Sequence, residues 1–264
     1  MILGVIGAGN MGGALIKGFA AGKTENDGII IFDPDTEKLR DFEGLPGVDA
    51  AGSLKELVRD SDYVLIALKP NVFDSVVPQI AAASCDKVYI SIAAGISISW
   101  LKSTLGEKSR IIRTMPNTPA MVSEGMTALT RSREVTDSEY ADVCRIFESL
   151  GLVIEVKEEQ MHVVTGISGS SPAYTYMYIQ ALIEKAENEG LDKETARLLA
   201  AQSTLGAAKM VLESEESPEQ LRRNVCSPGG TTIEAVTSLE NTGFTDNIKE
   251  AVDACISKSK TMEK

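Results

Sequence analysis

The residues with the clearest chemistry stand at the start of the chain. Gly7-Ala8-Gly9-Asn10-Met11-Gly12 has the spacing G-x-G-x-x-G and follows the apolar run 2–6. In such a turn the first glycine makes the tight bend, the second lets a pyrophosphate approach the backbone, and the third lets helix and strand pack closely. The free N–H groups of the helix N-terminus then receive the phosphates. Alone, the spacing fits an ordinary strand-to-helix turn equally well. Its context points to dinucleotide binding, because Asp33 ends the next strand about 20 residues further on, where an acid binds ribose. A carboxylate there accepts from the ribose hydroxyls and repels a 2′-phosphate. The following Pro34-Asp35-Thr36-Glu37-Lys38 contains no Arg, so these residues favour NAD(H) over NADP(H). The competing reading is that Asp33 caps the turn before Pro34.

A second group of candidates lies late in the chain. In Cys226-Ser227-Pro228-Gly229-Gly230-Thr231-Thr232-Ile233, glycines and threonines precede a helix expected to start near Ile233. Exposed N–H groups and hydroxyls at a helix start form an anion site sized for a carboxylate, although a tight helix–helix connection has the same composition. The turn Gly166-Ile167-Ser168-Gly169-Ser170-Ser171-Pro172 supplies either a second wall or a close helix crossing. Glu215 and Glu216 are acids able to pair with a cationic nitrogen, or simply solvated. His162, the one histidine, has no evident orienting partner and is read as non-catalytic. Cys85, Cys144, Cys226 and Cys255 form no C-x-x-C pair, which argues against a zinc site and for a reducing, cytoplasmic setting. Each is read as a small core residue.

These candidates need a scaffold, and the hydrophobic pattern supplies one. Continuous apolar runs at 2–6, 29–32, 63–68, 88–92, 111–115 and 152–156 alternate with helical periods at 11–21, 54–59, 72–83 and 138–150. Strands that are apolar throughout and separated by helices predict a mostly parallel sheet covered on both faces, hence an α/β Rossmann domain over residues 1–158. Ligands bind beyond the carboxyl ends of such strands. Leu68-Lys69-Pro70, Ala93-Ala94-Gly95 and Met115-Pro116-Asn117-Thr118-Pro119 are the loops expected there. Residues 159–264 show no further β-rich run and predict an all-helical domain: 172–188 with Ser171 as N-cap, then 193–213, 218–224, 232–239 and 245–260. Its apolar stripes exceed what so small a domain buries alone, which predicts at least a dimer. The formal charge of −12 argues against nucleic acid and anionic membrane as partners, and no apolar run has the length of a membrane span.

Taken together, the glycine turn, Leu68-Lys69-Pro70, Met115-Pro116-Asn117-Thr118-Pro119, Gly169-Ser170-Ser171-Pro172-Ala173-Tyr174 and Ser227-Pro228-Gly229-Gly230-Thr231-Thr232 closely resemble pyrroline-5-carboxylate reductases, in order and over essentially the whole chain. The resemblance implies reduction of a cyclic imine carboxylate to L-proline, with NADP or NAD as the cofactor pair. It implies cofactor contacts at Ile6, Gly7, Ala8, Gly9, Asn10, Met11, Leu68, Lys69, Ala94 and Asn224, to which the turn chemistry adds Gly12, Asp33 and Pro70. It implies substrate contacts at Glu215, Thr231 and Thr232, beside the anion-binding Ser227, Gly229 and Gly230, and helical domains intertwined as dimers that often assemble into decamers. An Asn that binds the adenosine ribose or its phosphate in some relatives is absent near Ser53-Leu54, which, with Asp33, weakens the NADPH preference common in the family. A protonated imine needs hydride at carbon and no strong acid from the protein, so Thr232 is the one residue expected to act at the reacting nitrogen. A related reductase of 3-hydroxyacids would carry a Lys between Gly169 and Tyr178, and none is there. A non-catalytic nucleotide sensor would lack an intact second site.

Overall fold

The computed structural model describes residues 1–83 and 86–264. Cys85 lies outside the described residues. In chain order the first part runs β1 (Ile2–Ile6), α1 (Asn10–Gly22), β2 (Gly28–Phe32), β3 (Val48–Ala50), α2 (Leu54–Asp60), β4 (Tyr63–Ile66), α3 (Phe73–Ala83), β5 (Val88–Ser91), α4 (Ile98–Leu105), β6 (Arg110–Met115), β7 (Gly125–Arg131), α5 (Asp137–Glu148) and β8 (Gly151–Glu155). The strands form one sheet in the order β3-β2-β1-β4-β5-β6-β7-β8. All pairs are parallel except β6–β7, where Ile112 faces Arg131 and Met115 faces Ala128. The α/β fold with a mostly parallel sheet is as expected.

Hydrophobic clusters cover both faces of this sheet. Leu15, Ile16 and Phe19 of α1 join Leu3 and Val5 on one side. Phe73, Val77 and Ile80 of α3 join Ile6 and Ile66 on the other. Each such side chain, buried to about the last square ångström, contributes about 2 kcal/mol of apolar transfer. Three elements were not anticipated. β3 is too short to show a period, and α4 hides in a mixed run whose start is marked by Ser97, which accepts from the Trp100 N–H at 3.1 Å. β7 mixes apolar and polar residues with no clear period, and it runs antiparallel to β6 because a short 3₁₀ turn (Thr118–Val122), not a crossover helix, joins the two.

The helical part comprises α6 (Met161–Val164), a π-turn (Thr165–Gly169), α7 (Ser171–Asn188), α8 (Lys193–Glu213), α9 (Pro218–Asn224), α10 (Thr231–Asn241) and α11 (Phe244–Thr261). Ser171 is the first residue of α7, reached from a helical Ser170 that closes the π-turn, so it is no N-cap. The division into compact units also differs from the boundary expected at 158. One unit is 1–170 with 255–264, and the other is 171–254. Residues 161–170 and the end of α11 belong with the sheet because their hydrogen bonds go there: Lys264 N–H donates to Gly95 O at 2.8 Å, and Glu263 pairs with Arg113 at 2.8 Å. Such long-range pairings leave no periodic trace in sequence. No helix among the described residues is long and apolar enough to cross a membrane.

Candidate active site

The glycine turn is built as its spacing demands. Gly7 sits at φ +99°, and a Cβ there would lie 2.5 Å from Ala67 O. A Cβ on Gly12 would lie 2.0 Å from Gly7 O, so only glycine lets α1 start against the end of β1. Gly9 is the N-cap residue, with no side-chain cap bond, and a Cβ on it would meet nothing within 4 Å. The first intrahelical bond of α1 runs from Gly13 N–H to Gly9 O at 2.6 Å. The preceding N–H groups of Asn10, Met11 and Gly12 are those a helix start leaves over, with the positive end of its dipole behind them. No acid stands in this first turn to compete for them.

Beyond the strand ends lies a cleft of about 520 Å³. Its floor is Gly9 to Gly12, and its walls are Ala67 to Pro70 after β4, Ile92 to Ala94 after β5, and Met115-Pro116 after β6. The structure thus brings together Gly9, Asn10, Met11, Gly12, Leu68, Lys69, Pro70 and Ala94. Ile6 and Ala8 are buried behind them, in β1 and the turn. Ala67 and Ile92 were not singled out from sequence. Their only signal is their place at a strand end. Asn117 faces away from this role, its Oδ1 accepting from Met126 N–H at 2.9 Å, and its loop braces β7.

Asp33 does more than the ribose or capping readings asked of it. Its Oδ2 accepts from Ala8 N–H at 2.9 Å and its Oδ1 from Asp35 N–H at 2.9 Å, which ties the glycine turn to the end of β2. Lys38 Nζ stands 3.5 Å from Oδ1 and offsets part of the carboxylate charge.

Within the helical unit, Gly230 is the N-cap of α10, again with no side-chain cap bond. Gly229 has φ +70°, and Gly230 N–H donates to Ser227 O at 3.0 Å, folding the segment into a tight turn in front of the helix. A Cβ on Gly230 would lie 2.5 Å from Ser227 Oγ. α10 starts at Thr231, so both threonines lie in its first turn, two positions earlier than expected. Thr231 is exposed and Thr232 half-buried, and neither caps the helix. Asn224 ends α9 and is held by Glu216, whose Oε2 accepts from its Nδ2 at 2.8 Å, and by Gln220 Nε2, which donates to its Oδ1 at 2.8 Å. The turn carrying the exposed Glu215 is thereby drawn to the end of α9, next in chain to Ser227.

His162 has the partners that the sequence did not reveal. Its Nδ1 lies 3.0 Å from Ser259 Oγ and its Nε2 3.1 Å from Glu263 Oε2. These come from the far end of the chain, as does the Cys255 Sγ that lies 3.2 Å from Ser170 Oγ. Among the described residues, no group of three His, Cys, Asp or Glu is placed to hold a metal ion.

Comparison with known proteins agrees with this architecture. Residues 158–262 match the family described as pyrroline-5-carboxylate reductase dimerisation, and residues 2–95 match NADP oxidoreductase, coenzyme F420-dependent. The chain is similar to the pyrroline-5-carboxylate reductase of Escherichia coli K12, with 41% identity over 99% of this chain and 98% of that one. A Plasmodium falciparum pyrroline carboxylate reductase solved with NADP bound superposes with a TM-score of 0.90 at 33% identity, covering 100% of this chain and 98% of that one. A Coxiella burnetii pyrroline-5-carboxylate reductase gives 0.91 at 35% identity, over 99% and 98%. With identity of this level along its whole length, the chain belongs to the pyrroline-5-carboxylate reductase family.

Proposed function

We propose that this chain reduces 1-pyrroline-5-carboxylate to L-proline with NAD(P)H, as the names of its relatives indicate. The observation that carries the reading is the cleft that joins the capless start of α1 to three loops of small residues at the ends of β4, β5 and β6. It fits a dinucleotide: Gly9 leaves open the space over the amides of Asn10 to Gly12, where phosphates sit. In the sheet order, β2 with Asp33 lies on one side of β1, while β4, β5 and β6 lie on the other. Asp33 therefore belongs to the adenosine end, and Leu68, Lys69, Pro70 and Ala94 to the nicotinamide end.

When bound, the reduced nicotinamide supplies the hydride. The residues of the chain do the rest. Ser227, Gly229, Gly230 and Thr231 receive the substrate carboxylate at the start of α10, where the helix dipole favours an anion. Thr232 bonds the ring nitrogen, and Glu215 offsets the positive charge of the protonated imine. The imine arrives with its proton, so positioning and charge complementarity carry the reaction, and an acid–base pair is not needed. Asn224 helps hold the cofactor. The carboxylate of Asp33 biases the site towards NADH, a bias that Lys38 moderates. The protein is an oligomer, and we extend this to dimers that assemble into a decamer. An absorbance assay at the nicotinamide band, run with the cyclic imine and with 2-oxo acids, tests the activity. Turnover confined to the oxo acids would refute it.

A further inference from the structure

The end of the chain is bonded to the wall of the cofactor cleft. The loop after β5 contributes Ala93 and Ala94 to that cleft and then turns at Gly95, φ +75°. The outer side of the turn is covered by the segment 262–264. A Cβ on Gly95 would lie 2.8 Å from Met262 O. Lys264 N–H donates to Gly95 O at 2.8 Å, and both Ser97 N–H and Ser97 Oγ donate to Lys264 O, at 3.2 and 2.5 Å. Between these contacts stands Glu263. Its Oε1 accepts from Arg113 Nη1 at 2.8 Å and its Oε2 lies 3.1 Å from His162 Nε2. Arg113, on β6, is 3% exposed and the Glu263 side chain about a third exposed, so this anchor is a charge-assisted bond with its cation buried, of the stronger kind. Burial raises the Glu263 pKa, but the Arg113 guanidinium outweighs it and holds the carboxyl below the usual range. The ionised form is therefore the resident one.

We propose that Glu263 is a positioning residue: by fastening residues 262–264 to Arg113 and His162, it holds the Ala93-Ala94-Gly95 wall at the depth the nicotinamide ring requires. The proposal rests on the cofactor placement given under Proposed function. Glu158 accepts from Arg113 Nη1 at 3.0 Å and from Ile98 N–H at 2.8 Å, so the guanidinium keeps a counter-ion when Glu263 is neutralised. Glu263→Gln should accordingly fold.

The test separates the two ends of the cofactor. Kd values for NADH and NADPH, from nicotinamide fluorescence, are compared with those for their nicotinamide-free fragments, ADP-ribose and 2′-phospho-ADP-ribose, by calorimetry. In Glu263→Gln the intact cofactors should bind about tenfold more weakly, as loss of one charged hydrogen bond allows, with the fragments unchanged within about twofold. Equal weakening of cofactor and fragment, or no change in either, would overturn the proposal. A wild-type protein that binds neither would overturn the cofactor placement itself, and this inference with it. Should Glu263→Gln fail to fold, His162→Gln frees the other carboxylate oxygen, and the same contrast is expected at about threefold.

Discussion

The two compact units solve the problem of burial in opposite ways. In the sheet unit, Phe19, Phe73, Tyr89 and Phe147 are at most 1% exposed, and helices close both faces. In the helical unit, α7 buries none of its residues and α8 buries only Ala196 and Ala200. Tyr176 and Met177 on α7 and Leu198 and Leu212 on α8 are 60%, 71%, 65% and 73% exposed. An apolar surface of this extent on packed helices marks an interface, and residues 158–262 match a dimerisation family. The sheet unit thus completes its core within one chain, whereas the helical unit leaves apolar faces for a partner.

The sharpest way to break the comparison is at Gly12. Gly12→Val forces carbon atoms onto Gly7 O, an overpacking of roughly 3 kcal/mol in the turn proposed to hold the phosphates, and kcat/KM should fall about a hundredfold or more. Cofactor affinity should fall with it, while the oligomer mass in light scattering stays as in the wild type. The reverse experiment is Met177→Glu with Leu198→Glu. Two carboxylates in an apolar interface should yield monomers that still bind NAD(P)H but have lost most turnover. Monomers with full turnover would show that the helical unit is self-sufficient after all.

Within the helical unit, Thr232→Ala should lower kcat/KM tenfold or more, about 1.4 kcal/mol in transition-state terms. Because Gly230 caps α10, the melting temperature should hardly move. A lowered melting point with intact turnover would make Thr232 structural only. Within the sheet unit, Asp33→Ser should shift the NADPH/NADH ratio of kcat/KM by about tenfold, as expected for removing one nearby charge. It should also cost about 1–3 kcal/mol of stability, because the Ala8 and Asp35 amides lose their acceptor.

The smallest effect concerns pH. Asp27 is held well below the usual carboxylate range, chiefly by the Arg145 guanidinium at 2.7 Å and against the effect of burial. A depressed folded pKa adds stability above the unfolded value of about 3.9, and this is lost as pH falls below it. The melting-point difference between wild type and Asp27→Asn should therefore be constant above about pH 5 and shrink towards pH 3. A difference that does not vary with pH would mean that the pair acts through packing alone.

Much of this molecule was legible in its residues. The run Ile2–Ile6 followed by three glycines fixed β1, the turn and the start of α1, because a helix can begin that close to a strand only where Gly7 and Gly12 carry no Cβ. The strand ends then located Leu68, Lys69, Pro70 and Ala94 on one cleft. Less legible were β3 and β7, one too short and one defined by its partner, and the start of α10, where two glycines set the helix start earlier than the apolar period implied.

By itself, then, the sequence determined what depends on neighbours in the chain: strand and helix periods, the glycine-only conformations of the first turn, and the acid after β2. Local sterics and the periodicities of strand and helix leave their mark at fixed spacing. Only the tertiary structure decided the partners of His162, the double bracing by Asp33, the antiparallel turn into β7, and the return of residues 255–264 to the sheet unit. Those depend on contacts between residues far apart in sequence, such as Arg113 with Glu263, whose register is set by the packing of whole elements.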